Sequence, residues 1–330
     1  MALPPINEAH ALQIQAGATG RHSGHAFENA LVGAINGFRY PIQVVGSAVP
    51  HLSTGDPALS LLKYIANRLH LTSIQRASAV STGSLATSEM GKRWLVVNGV
   101  TVSRCKSDLI VTLHPVHGAP ITVGVSIKQC NNRAPTNAQL YFTTARGFVN
   151  LLRNNQVPIS DQALHALRQF CGDDGFRPSN NALLSAVRKV DPRRYFWEET
   201  DDVGLKEWSR IFTTHQDKIT RLLLQKAYMD DPFVPDFLLH KTKSAPSWNT
   251  TETAIYSMEE LIVLSRRYQG FATRSYSVRK GSYRDPAGVE HLAPRFGIVQ
   301  MQRGGQTQHP EQLQFNLEAG YFYKIQGRSE

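Results

Sequence analysis

Glu28, Asp108 and Lys128 are the residues whose types and spacing could do chemistry. Glu28 falls on a stretch from about Gly24 in which Phe27, Leu31, Ala34 and Ile35 share one helical face. Asp108 opens the apolar run Asp-Leu-Ile-Val-Thr-Leu113, and Lys128 closes Ile121-Thr-Val-Gly-Val-Ser-Ile-Lys128. Two carboxylates can hold a hard divalent cation through oxygen. A cation so held stabilises charge on phosphoryl oxygens and acidifies bound water. A lysine near that water orients it or stabilises a pentavalent state electrostatically. Hydrolysis of a phosphodiester with magnesium needs these groups.

The elements must bring the three together. The turn His114–Pro120 is short, so the strands on either side of it are expected to be antiparallel neighbours. Asp108 and Lys128 then converge at one end of a sheet. Further elements follow from pattern. A helix is expected over Pro57–His70, with Asp56 as its cap and Pro57 at its first position. Residues 71–92 are Ser/Thr/Gly-rich and read as a loop. Asn98-Gly99 marks a hairpin between Trp94–Val97 and Val100–Val102. Helices are expected at about 137–154, 161–171, 181–190, 205–229 and 257–267, with a Pro-containing loop over 231–250. Strands are expected at Phe271–Val278, Gly297–Gln302, Gln312–Leu317 and Tyr321–Ile325. The pattern reads as α+β, or as a mixed α/β core with an appended β-rich C-terminal part. A soft boundary near residue 200 divides a core with an N-terminal arm (1–200) from a helical segment and β-rich region (201–330), or the two form one domain.

Composition narrows the partners. The 330 residues carry a net charge of +10, unevenly spread. Residues 1–170 are +8, residues 171–260 are −3, and residues 261–305 are +6. Basic blocks of this kind suit a polyanion, most simply nucleic acid; the alternative is a basic surface with no ligand. The second block holds Arg274, Arg279, Lys280, Arg284 and Arg303 among tyrosines and phenylalanine, types that contact DNA. Asn131, Arg133 and Gln139 follow the Lys128 strand and can donate to bases and phosphates. Three cysteines make no disulfide framework or zinc site. No apolar run reaches the ~20 residues a membrane helix needs. The sequence shows no signal peptide, no P-loop and no Gly-rich dinucleotide fingerprint, so a cytoplasmic protein without a nucleotide cofactor is expected.

Lys106-Ser-Asp108-Leu-Ile-Val with Val125-Ser-Ile-Lys128 resembles the PD-(D/E)xK nuclease signature. More narrowly, it resembles type II restriction endonucleases with an S-x-K variant, and Gly24-His-Ala-Phe-Glu28 is similar to their acid-bearing helix. The resemblance spans about residues 20–155. It implies a restriction-endonuclease-like core of a central mixed sheet flanked by helices, Mg2+ as cofactor, double-stranded DNA as substrate, a homodimer and a bacterial or archaeal source. In its terms Asp108 bridges metal and scissile phosphate, the Ile127 carbonyl is a further ligand, Lys128 positions the water and Ser126 bonds that water or a metal-bound one. The sequence departs from the pattern twice. Ser107 replaces the Pro, and Ser126 replaces the second acid. Glu28 or Glu89 must then supply the missing carboxylate, in a region with only six acids among its first 170 residues. The rival readings are a related nuclease of repair or junction resolution, and a non-catalytic DNA-binding protein.

Overall fold

Helix α1 (residues 25–37) buries Leu31 and Ile35 completely, along the face its apolar spacing marks. Glu28 stands three residues before Leu31, on that same face, which is why a carboxylate is buried there. The structure is a computed structural model and describes residues 25–44, 50–82, 96–102, 105–178, 194–225, 231–277, 290–303, 312–318 and 320–324. Glu89, Arg279, Lys280, Arg284 and the helix expected at 181–190 lie outside them. Helix α2 (Pro57–Arg68) begins as its sequence requires. The Asp56 carboxylate accepts from the Ala58 and Leu59 amides at 2.8 and 3.1 Å, and Pro57 occupies the first turn.

Two compact units make up the chain, and both are discontinuous in sequence. One comprises residues 15–138, 221–264 and 319–330; the other comprises 1–14, 139–220 and 265–318. Along the sequence, segments of the two units alternate.

The first unit holds a mixed sheet. Its strands are β1 (Ile42–Gln43), β2 (Leu52–Gly55), β3 (Ser73–Ser81), β6 (Leu109–Pro115), β7 (Ile121–Gln129), β9 (Pro235–Lys241) and β10 (Thr251–Ser257). Their order is β1-β3-β6-β7-β9-β10-β2. Every pairing is antiparallel except β7 with β9. Leu109, Val111 and Leu113 alternate onto the face that meets Leu31 and Ile35 of α1 and Leu61, Leu62 and Ile65 of α2. Burying each such side chain contributes about 1.5–3 kcal/mol. Ile110 points the other way, against Val97 and Val102 of a small hairpin, β4 (Val96–Val97) and β5 (Val100–Thr101). Asn98 and Gly99 turn that hairpin with φ of 49° and 81°, as their pairing predicts.

The second unit carries a five-stranded sheet. Its strands are β8 (Ala138–Thr143), β11 (Phe271–Ser277), β12 (Glu290–Phe296), β13 (Val299–Arg303) and β14 (Leu313–Leu317), in the order β11-β12-β13-β14-β8. Helices α3 (Ala145–Asn154), α4 (Asp161–Cys171) and α5 (Asp202–Thr214) belong to it, as does the first half of α6 (Gln216–Gln225). Phe148, Trp208, Phe212, Phe296 and Phe315 form its aromatic core, with Phe212 stacked on Phe296 at 4.2 Å. Two short helices, α7 (Met258–Ser265, all but its last residue) and α8 (Tyr321–Lys324), belong to the first unit. The class is therefore mixed α/β with a β-rich C-terminal contribution, as expected. Among the described residues no helix is long and apolar enough to cross a membrane.

Several elements differ from expectation. Residues 73–81, expected as loop, form β3; Ala77 and Ala79 are small enough to lie flat beneath α1 and α2. The helix expected from 137 begins only at Ala145, capped by the Thr144 hydroxyl, because the aromatic stretch before it pairs as β8. The Pro-containing loop over 231–250 contains β9, which is buried on both faces. The strand expected at Tyr321–Ile325 is the helix α8.

Candidate active site

Asp108 stands one residue before β6, and its main chain is fixed on both sides. Its N–H donates to the Val125 carbonyl at 2.9 Å, and its carbonyl accepts from the Thr82 N–H at 3.0 Å. Ser107, wholly buried behind it, donates from its hydroxyl to the Phe233 carbonyl at 2.6 Å and accepts at its carbonyl from the Thr82 hydroxyl. The first of these bonds is one that a proline ring could not make. Gly124 makes room for it. A Cβ on Gly124 would lie 2.2 Å from Ser107 Oγ and 2.7 Å from the Val234 carbonyl oxygen.

The Asp108 side chain extends the β6–β7 ladder past its last main-chain pair, Leu109 with Val125. Its Oδ2 accepts from the Ile127 N–H at 2.6 Å, the Ser126 hydroxyl at 3.2 Å and Lys128 Nζ at 3.5 Å. Lys128 Nζ also donates to the Ile127 carbonyl at 3.0 Å. Asp108 Oδ1 accepts no hydrogen bond from any described residue. The Lys128 and Asp108 side chains are 17% and 27% exposed, so the pair borders solvent without being fully solvated.

Glu28 completes the cluster from α1. Its Oε2 takes a hydrogen bond from His25 Nδ1 at 3.3 Å and from the Ser81 hydroxyl at 3.5 Å. Burial holds its pKa above the ordinary carboxylate value, and the nearby Asp108 charge pushes it further up. His25 and Lys128 pull in the opposite direction. Two carboxylates that repel each other across one space form a donor set a cation would relieve. Among the described residues no group of three or more His, Cys, Asp or Glu side chains is arranged to hold a metal. A cation here would therefore rest on Glu28, Asp108, the Ile127 carbonyl and water. That oxygen set, short of protein ligands, fits magnesium, which keeps several waters.

Two neighbours were not singled out as functional from sequence. Lys106 has its pKa lowered to about 7, by burial and then by the Lys128 charge, while Asp108 and Asp231 act against the shift. Its own N–H donates to Asp231 Oδ2 at 2.5 Å. Its place two residues before Asp108 was the available signal. His240 lies beside Lys128 in the parallel register of β7 and β9 and stacks on Phe322 at 4.8 Å. Burial, then Lys128, lowers its pKa to about 3. Neither of its ring nitrogens has a hydrogen-bond partner among the described residues. No local pattern could have found it, since the pairing joins residues 112 positions apart.

The proposed DNA contacts have different settings. Asn131 and Arg133 are exposed on the loop leaving β7, in the same unit as Asp108 and Lys128. Gln139 is exposed on β8, in the second unit. Arg274 there is largely exposed and pairs with Glu318 at 2.9 Å. Arg303 donates to the Tyr195 carbonyl at 2.5 Å and lies over the Phe196 ring at 4.6 Å, a packed setting.

No protein-family model matches the chain, and no curated protein matches it. Among solved structures it is similar to the restriction endonuclease MspI in complex with its cognate DNA, with a TM-score of 0.44 and 8% identity. The match covers 78% of this chain and 76% of that one.

Proposed function

We propose that this chain is a magnesium-dependent DNA endonuclease of the type II restriction kind. It would cut one phosphodiester per strand of double-stranded DNA within a short sequence, as a homodimer. The observation that carries the reading is the convergence of the Asp108 carboxylate, the Lys128 ammonium and the Ile127 carbonyl, with Glu28 buried beside them.

Glu28, Asp108 and the Ile127 carbonyl would hold Mg2+, which when bound polarises phosphoryl oxygen and acidifies water. The chain's own residues do the rest. Three donors fix Asp108 through Oδ2 and leave Oδ1 open. Lys128, held between Asp108 and the Ile127 carbonyl, points a cation at the same space. There it donates to the attacking water or to a phosphoryl oxygen as negative charge develops. The water oxygen bonds to phosphorus and gives up a proton to solvent while the bond to the departing sugar oxygen breaks and that oxygen takes a proton from solvent, leaving one phosphate monoester end and one hydroxyl end. The Ser126 hydroxyl, already bonded to Asp108, orients the carboxylate where the family pattern would place a second acid.

Incubating plasmid DNA with the purified protein and Mg2+, then sequencing the ends, tests the proposal. Discrete fragments with uniform ends are expected, and none in EDTA. Nicking that follows DNA structure rather than sequence would point to a repair-type relative. Binding without any cleavage would overturn the enzyme reading.

A further inference from the structure

The carboxyl ends of β7 and β9 run side by side, with Gln129 in register with Lys241. The chain leaving each strand stays tied to the other. The Cys130 N–H donates to the Lys241 carbonyl, and the Ser244 N–H to the Asn132 carbonyl, both at 2.8 Å. This edge begins one residue beyond Lys128.

Its cations are held without being neutralised. Lys241 Nζ donates to the Asn131 side-chain oxygen at 2.9 Å and lies 5.6 Å from the centre of the Phe27 ring. An amide and an aromatic face orient an ammonium but leave its charge intact. Phe27 is itself braced by Trp248, ring to ring at 5.8 Å, and directly precedes Glu28 on α1. Arg133 is exposed two residues beyond Asn131, and no described residue pairs with it. Lys243, by contrast, is matched by Glu252 at 3.1 Å. Two cations without a carboxylate partner among the described residues, one of them pre-positioned, thus stand on the chain just beyond Lys128 and His240.

We infer that Lys241 and Arg133 grip backbone phosphates of a DNA duplex beside the bond to be cut, with Phe27 and Asn131 holding Lys241 in place. This rests on the nuclease reading for the position of the scissile bond. The grip is independent of sequence, because phosphate contacts fix position and carry no base information.

The test uses the full-length protein and a random-sequence duplex of about thirty base pairs in EDTA, where binding is measured without cleavage. Affinity is followed against salt for the wild type, Lys241→Gln, Arg133→Gln and the double variant. Each single variant is expected to weaken binding several-fold and to lower the slope of log K against log salt by about 1, the double variant by about 2. Phe27→Leu is expected to give part of the Lys241→Gln loss. Thermal unfolding of each variant reports folding. A folded double variant with the wild-type slope would overturn the inference. The outcome is separable from the nuclease proposal. Lost cleavage with a normal salt response in Asp108→Asn leaves the grip standing, and a reduced slope in a protein that never cuts leaves only the grip.

Discussion

The main-chain N–H of Ile127 donates to Asp108 Oδ2 at 2.6 Å, one step beyond the last main-chain pair of β6 and β7. The carboxylate proposed to bind metal is therefore also the cap of a strand ladder. Its two oxygens differ in this: Oδ2 closes the ladder, and Oδ1 accepts no hydrogen bond from any described residue.

That division separates two variants. Asp108→Asn keeps an acceptor for the Ile127 amide but loses the charge. Asp108→Ala leaves a half-buried N–H unsatisfied, at a cost of about 1–3 kcal/mol. Both are expected to lose cleavage by about a thousandfold or more, since ligand and electrostatic roles vanish together. Urea unfolding should rank wild type, Asn and Ala in falling stability, while DNA binding persists in the Asn variant. Cleavage by Asp108→Asn within tenfold of wild type would end the assignment.

His240 sets a pH dependence. Its folded pKa, about 3, lies below the ordinary histidine value of 6.5. Above that ordinary value neither state is protonated, and stability is full. As pH falls below it, the unfolded chain takes up a proton that the folded chain refuses. Stability then drops by about 1.4 kcal/mol per pH unit from this group, until pH approaches the folded value. His240→Leu, which keeps an apolar body against Phe322, removes the proton uptake. Its stability relative to wild type should rise by about 2 kcal/mol between pH 6.5 and pH 5. Unfolding curves that fall in parallel for the two proteins would show that the imidazole is not held neutral.

Sequence pattern revealed what is local. Asp56-Pro57 and Asn98-Gly99 each carry their own chemistry, and the structure uses the first as a cap and the second as a turn. The nearness of Asp108 and Lys128 was legible because only a short turn separates their strands. β9 was not, because it is a brief apolar run after prolines and one of its two partners in the sheet, β7, lies more than a hundred residues earlier. Everything that depends on β9 stayed hidden with it: His240 beside Lys128, Lys241 beside Gln129, and the Phe233 carbonyl that anchors Ser107 just before the strand. The missing acid at Ser126 was visible, but not its use as a donor to Asp108.

Gly124 tests how tightly the site is built. A methyl there would collide with the Ser107 hydroxyl and with main-chain atoms of Val234 and Pro235. The hydroxyl can rotate away, whereas the backbone of a central strand cannot. Gly124→Ala should cost about 1–3 kcal/mol by overpacking. It should also shift β7 against β9 and with it Lys128, so that cleavage falls further than the loss of folded protein explains. Stability and single-turnover cleavage, measured on the same preparation, separate the two effects. A variant as stable and as active as wild type would show that the two strands do not fix the site.

Ser126 offers the sharpest measure of the metal reading. It is buried, and its hydroxyl donates to Asp108 Oδ2 at 3.2 Å. Ser126→Asp replaces that donor with a second negative charge against Asp108 and close to Glu28, whose pKa the Asp108 charge already raises. Without metal the three acids repel, and the protein should unfold at a lower temperature than wild type. With Mg2+ the added carboxylate becomes a ligand, so stabilisation on adding Mg2+ should exceed that of wild type. Differential scanning measurements in EDTA and in Mg2+ give both quantities without reference to activity. If the variant loses stability equally in both buffers, the added acid does not face a cation. If instead it is as stable as wild type in EDTA, the added charge does not face Asp108 and Glu28 across the space on which the proposed cutting site depends.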